Sequence, residues 1–239
     1  MKPPHYTPRP DPNHAPLPNP FNAVSPVIVV VALAILGVEL LLDAGAFGLA
    51  GGRMGVGWRI AAVEDWGFAP GVLDRLVQAR DVSPDILMRF VTYAFVHGSF
   101  THMLFGAALL LALGKFVGEV LHPLALAGLL LASTVLGALA FGALAPGNPP
   151  LIGIYPAVYG LIGGFTYLTW LRLGQMGQNQ LAAFRLIGVL LAIQLVFGLV
   201  LGSDPSWIAE VAGFASGLAL CPFLIPGGWT ATLRRLRRR

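Results

Sequence analysis

The sequence predicts an all-α fold: a single bundle of six helices that spans a membrane. Three observations predict it. Charged residues make up 11% of the 239 and hydrophobic residues 56%, where a soluble domain carries about 25% charged. The mean hydropathy is +0.75. The polar residues are also unevenly spread, so that residues 24–42, 124–144 and 186–201 hold almost no ionisable group. About 20 apolar residues are enough to cross a bilayer as a helix.

Residues 1–23 carry eight prolines (Pro3, Pro4, Pro8, Pro10, Pro12, Pro16, Pro18 and Pro20) and little apolar surface. Such a segment cannot offset its chain entropy by burial, so it reads as a disordered arm. The first apolar run, 24–44, is long for a signal-peptide core, has no basic flank directly before it and is followed by more spans. It reads as an uncleaved anchor.

Residues 45–90 differ in character, with Trp58, Arg59, Trp66, Arg75 and Arg80 among Glu64, Asp65, Asp74, Asp81 and Asp85. Tryptophan beside charge suits the membrane–water boundary, so this first loop is expected to be partly embedded. Within it, 70–79 reads as a short amphipathic helix with Val72, Leu73, Leu76 and Val77 on one face.

Five further spans are expected at about 98–118, 122–144, 153–173, 183–202 and 206–226, followed by a basic tail over 227–239. Six spans put both termini on one side. Arg234, Arg235, Arg237, Arg238 and Arg239 mark that side as cytoplasmic, and five arginines beside a span suit anionic lipid rather than nucleic acid. Lys115, Arg172 and Arg185 agree with this orientation, as do loops 145–152 and 202–206, which hold no Lys or Arg. The arginines of the first loop run against it, but long loops follow the rule poorly. The composition suggests a bacterial inner membrane. Cys221, the sole cysteine, can form no internal disulfide and leaves the redox compartment undetermined.

Small residues recur four apart in the last span (Ala209, Gly213, Gly217) and in the fourth (Gly153, Ala157; Gly160, Gly164). Helices in lipid approach closely at such positions, so these two spans are predicted to touch.

With the spans placed, four stretches resemble the rhomboid family of intramembrane serine proteases. Trp58–Arg59 resembles its first-loop Trp-Arg element. The run from Arg89 through His97 and His102 to Gly106 resembles the start of its second helix, where His, four residues, His, three residues and Asn are expected. Gly153-Ile-Tyr155-Pro156-Ala-Val-Tyr-Gly160 resembles the fourth-helix Gly-x-Ser-Gly segment, and Ala209-Glu210-Val-Ala-Gly213 the sixth-helix Ala-His-x-x-Gly segment. The resemblance covers about 45–226 in order and spacing.

It also implies which positions would carry chemistry. The family's nucleophilic serine, its base histidine and the second-helix His and Asn that hold the oxyanion fall at Tyr155, Glu210, His102 and Gly106. His97 falls at a structural position. Only His102 of the four is retained. A serine hydroxyl needs an adjacent base, and none of the five histidines (5, 14, 97, 102, 122) lies in the last two spans. A missing oxyanion donor alone is worth roughly 2.7–4 kcal/mol. Pro156 fits a helix start, where its absent N–H costs nothing, but it replaces a flexible glycine.

These departures predict a catalytically inactive rhomboid homologue. It would bind transmembrane segments of client proteins beside its second and fifth helices without cutting them, with no catalytic residue and no cofactor. A carboxylate within a span is costly and is expected to be paired, here with the Tyr155 hydroxyl near His102. Two alternatives remain. One is an active serine-type intramembrane endopeptidase with an unrecognised arrangement, using a hydroxyl such as Ser99, Ser133, Ser203, Ser206 or Ser216. The other is a small transporter or channel built on Glu210. His97, His102 and Glu210 also make a two-His, one-carboxylate set, but the five-residue His spacing is wrong for a zinc helix, and no metal is expected.

Overall fold

The computed structural model describes residues 24–201 and 204–228, with the side chains of residues 195 and 197–201 excepted. The proline-rich arm, the arginine cluster and Ser203 lie outside the described residues.

Six helices match the expected spans: α1 (Pro26–Ala46), α6 (Phe100–Gly118), α7 (Pro123–Leu144), α8 (Tyr155–Gln175), α9 (Arg185–Leu201) and α10 (Trp207–Leu224). Between α1 and α6 the first loop folds into four short helices: α2 (Gly52–Gly55), α3 (Trp58–Trp66), α4 (Pro70–Val77) and α5 (Pro84–Thr92). No strand forms among the described residues, and the one bridge joins Phe68 to Leu151.

By length and composition α1, α6, α7 and α10 are apolar enough to cross a membrane. α8 is less apolar, with Tyr155, Tyr159, Thr166 and Tyr167 along it. It can be so because it is the central helix: nine consecutive residues from Pro156 to Gly164 are buried against protein.

The predicted contact between the fourth and sixth spans is present. A Cβ on Gly217 would overlap the carbonyl oxygen of Gly160, and one on Gly213 would overlap that of Pro156. Gly163 makes a third such approach, against the Phe214 carbonyl. Gly164 does not, since it faces Val117, Leu129 and Cys221 at ordinary distances. Where three helices meet, Ser216 Oγ lies 2.7 Å from the Gly213 carbonyl and 2.9 Å from Ser133 Oγ of α7. Buried hydroxyls are thereby satisfied without water. α1 closes the other flank, with Ile28 filling the space over Gly114 of α6.

The first loop is packed onto the bundle rather than hanging from it. α4 has the predicted apolar face, with Val72 buried and Leu73 against Gly142 of α7. Val77 departs from that face and is 65% exposed, because the helix ends there. The described side chains of α9 are lightly held. Of its residues 185–194 only Ile187 is buried, while Val189 and Ile193 are exposed.

Candidate functional site

The site is assembled at the end of the bundle where α6, α8 and α10 begin. Its floor is set by the start of α8, which four contacts pin. Phe68 and Leu151 exchange backbone hydrogen bonds. The Gly153 N–H donates to the Tyr93 carbonyl at 2.9 Å, in a left-handed conformation (φ 98°) that suits glycine. The Ile154 N–H donates to His97 Nε2 at 3.3 Å. The Tyr155 hydroxyl donates to the His102 carbonyl at 2.9 Å.

That last bond corrects an expectation. The Tyr155 hydroxyl does not donate to Glu210; it reaches the backbone of α6. The rings of Tyr155 and His102 stack at 4.8 Å with 11° between planes, so phenol and imidazole form one slab. Glu210 is instead bonded by the side-chain amide of Gln194 on α9 and by the Tyr159 hydroxyl, one turn along α8 from Tyr155. Nor does Glu210 sit at mid-span: it lies in the first turn of α10, where the positive end of the helix dipole favours a carboxylate. Its residue is 7% exposed.

Tyr155 and Glu210 nonetheless share one cavity of about 220 Å³, lined also by His102, Pro156, Asp204 and Ser206. Gly106 completes the set from behind, since a Cβ there would lie 2.8 Å from Ile154 Cγ2 and 3.6 Å from the Tyr155 ring. The four positions that the rhomboid resemblance implied, which lie on three different helices, therefore converge.

His97 and His102 have different jobs. His97 is fully buried, and because Nε2 accepts from Ile154, its proton sits on Nδ1. Burial, then the neighbouring His102 and Arg59, push its pKa down to about 4, so it is a neutral structural acceptor. His102 Nδ1 accepts from the Gly98 N–H at 3.3 Å. Its lone pair is thereby used, and Nε2 carries the proton as a donor. The two rings lie 5.4 Å apart. No group of three or more His, Cys, Asp or Glu residues arranged to hold a metal ion occurs among the described residues.

Trp58 and Arg59 support the site from α3. Trp58 lies against Gly45 and Gly51, where a Cβ would strike its ring. Arg59 bonds Glu39 at 2.9 and 3.2 Å, Asp43 at 2.6 Å and the His97 carbonyl at 2.6 Å. Burial disfavours its charge, but the two carboxylates outweigh that and raise its pKa. One guanidinium thus ties α1 to the start of α6. Glu39 and Asp43 were not singled out from sequence. The signal was there, for Glu39 interrupts an apolar run and a charge in such a run implies a buried partner. Gln194 was missed for the same reason.

A model of the rhomboid domain matches residues 84–227, more than half of the chain. The chain belongs to the rhomboid family. It is accordingly a rhomboid-fold integral membrane protein in contact with the lipid bilayer. The family match begins at α5 and takes in every residue of the cavity. No functionally curated protein matches the sequence.

Proposed function

We propose that this rhomboid is a pseudoprotease, which holds transmembrane segments of client proteins without hydrolysing them. The observation that carries this reading is the stacked Tyr155–His102 pair. On the family correspondence Tyr155 stands at the nucleophile and Glu210 at its base. The phenol is turned away into a backbone hydrogen bond and its ring covers the imidazole face. The histidine has no lone pair to offer, because Gly98 uses it. Gly106 supplies no side-chain donor, and Pro156 no backbone N–H, for an oxyanion. What is left is a small polar cavity beside the loosely held α9, where a helix from another protein can lie in the bilayer. On this reading the protein sits in a bacterial inner membrane with both termini cytoplasmic.

A second reading has one observation in its favour. Ser206 lines the same cavity as His102 and Asp204, so a hydroxyl, an imidazole and a carboxylate are present together. The hydrogen bond from Gly98 to His102 Nδ1 counts against it, since a general base needs a free lone pair.

Fluorophosphonate labelling of the detergent-purified protein, with a rhomboid substrate digested in parallel, tests both. The expected result is neither covalent label nor cleavage. Labelling of Ser206 accompanied by cleavage would establish the second reading and overturn the first.

A further inference from the structure

Glu210 is buried, with the Gln194 amide of α9 and the Tyr159 hydroxyl of α8 as its side-chain partners. A carboxylate accepts about four hydrogen bonds, so the two donors from α9 and α8 leave Glu210 with accepting capacity unused. The oxygen half of that amide is also unsatisfied: Gln194 Oε1 is buried and has no hydrogen-bond partner among the described residues. An accepting carboxylate and an orphaned accepting oxygen therefore lie side by side. The adjoining cavity adds the Asp204 carboxylate, and no Lys or Arg lines it. Arg59, which supports the site from α3, is held by Glu39 and Asp43. The charged side chains lining the cavity, Asp204 and Glu210, are both carboxylates.

We propose that Glu210 and Gln194 are the recognition point for client transmembrane helices that carry a multi-donor side chain, namely Lys, Arg, Asn or Gln, at the level of this site. This rests on the client-binding reading and names the client's chemistry. The incoming group gives one N–H to Glu210 beside the Gln194 amide and another to Gln194 Oε1. An ammonium has three donors, a guanidinium five and a primary amide two, whereas a hydroxyl has one. Serine and threonine therefore serve only half of the site. In hydrocarbon such a client residue has few other partners, so the contact relieves an unpaired group on each side.

The test uses the full-length protein in lipid nanodiscs and fluorescently labelled leucine-based transmembrane peptides. The peptides are identical except for one position holding Leu, Ser, Asn or Lys, and energy transfer reports binding. The Asn and Lys peptides are expected to bind roughly 3- to 30-fold more tightly than the Leu peptide, the range that interhelical hydrogen bonds in membranes span, with Ser in between. Glu210→Leu is expected to abolish the Lys preference. Gln194→Leu, which leaves the cavity lining intact, is expected to diminish the Asn preference, and keeps the question answerable should the Glu210 variant fail to fold. Equal affinity for the Leu and Lys peptides overturns this inference and leaves client binding standing. Binding of none of them overturns the client reading itself.

Discussion

Replacing Gly217 by alanine tests the packing that brings Tyr155 and Glu210 into one cavity. The added Cβ would stand 2.8 Å from Gly160 Cα and closer still to the Gly160 carbonyl oxygen, where carbon atoms pack best at about 3.5–4.0 Å. Both obstacles are backbone, so no rotamer change relieves them and the helix axes must part by about 1 Å. A gap of that size forfeits a quarter to a half of each contact, and a helix interface of about 50 atom pairs at 0.1–0.2 kcal/mol each then loses about 1–5 kcal/mol. Overpacking elsewhere costs about 1–3 kcal/mol, so the two estimates meet near 3 kcal/mol. At roughly 2–4 °C per kcal/mol for a chain of this size, the melting temperature in detergent should drop by about 6–12 °C. Gly128→Ala is the control, because nothing lies within 4 Å of a Cβ there and alanine improves helix propensity by up to about 1 kcal/mol. Melting followed by circular dichroism, with both variants in one detergent, decides the matter. If Gly217→Ala melts with Gly128→Ala, the close approach of α8 and α10 is not what holds the cavity together.

Further outcomes follow from the same contacts. Arg59→Ala strands the fully buried Glu39 and should cost about 3–5 kcal/mol; the double variant with Glu39→Gln should recover much of it, read by chemical unfolding in micelles. Tyr155→Phe removes the bond to the His102 carbonyl while keeping the ring stack, and should cost about 1 kcal/mol without creating activity. His97 is neutral when folded down to about pH 4 and titrates near 6.5 when unfolded. Its contribution is thus complete above about pH 6.5 and is lost as pH falls toward 4, so His97→Gln should flatten the melting profile in that window. The combined variant Tyr155→Ser, Pro156→Gly, Glu210→His and Gly106→Asn should be tested for proteolysis only with Ile154→Ala added, since the asparagine would collide with Ile154 Cγ2.

The residues that are not apolar tell where legibility in the sequence ended. Apolar runs of about 20 residues determined that the chain is a helical membrane bundle, because a bilayer admits few other solutions. The four-residue spacing of Gly213 and Gly217 determined which helices touch, because lipid rewards close backbone approach. The resemblance to the rhomboid family was enough to choose Tyr155, Glu210, His102 and Gly106 as neighbours across three helices. Which atoms bond to which was decided only in three dimensions. The expected Tyr155–Glu210 bond gave way to Tyr155–His102 and Glu210–Gln194, since a hydroxyl takes whichever acceptor its ring orientation reaches, and that orientation is set by stacking. The Arg59–Glu39–Asp43 cluster joins residues 16 and 20 positions apart through a folded loop, and periodicity holds no trace of where a loop returns. Composition and spacing reflect the solvent a helix meets; hydrogen-bond partnership depends on angles and sub-ångström distances that exist only once the helices have packed.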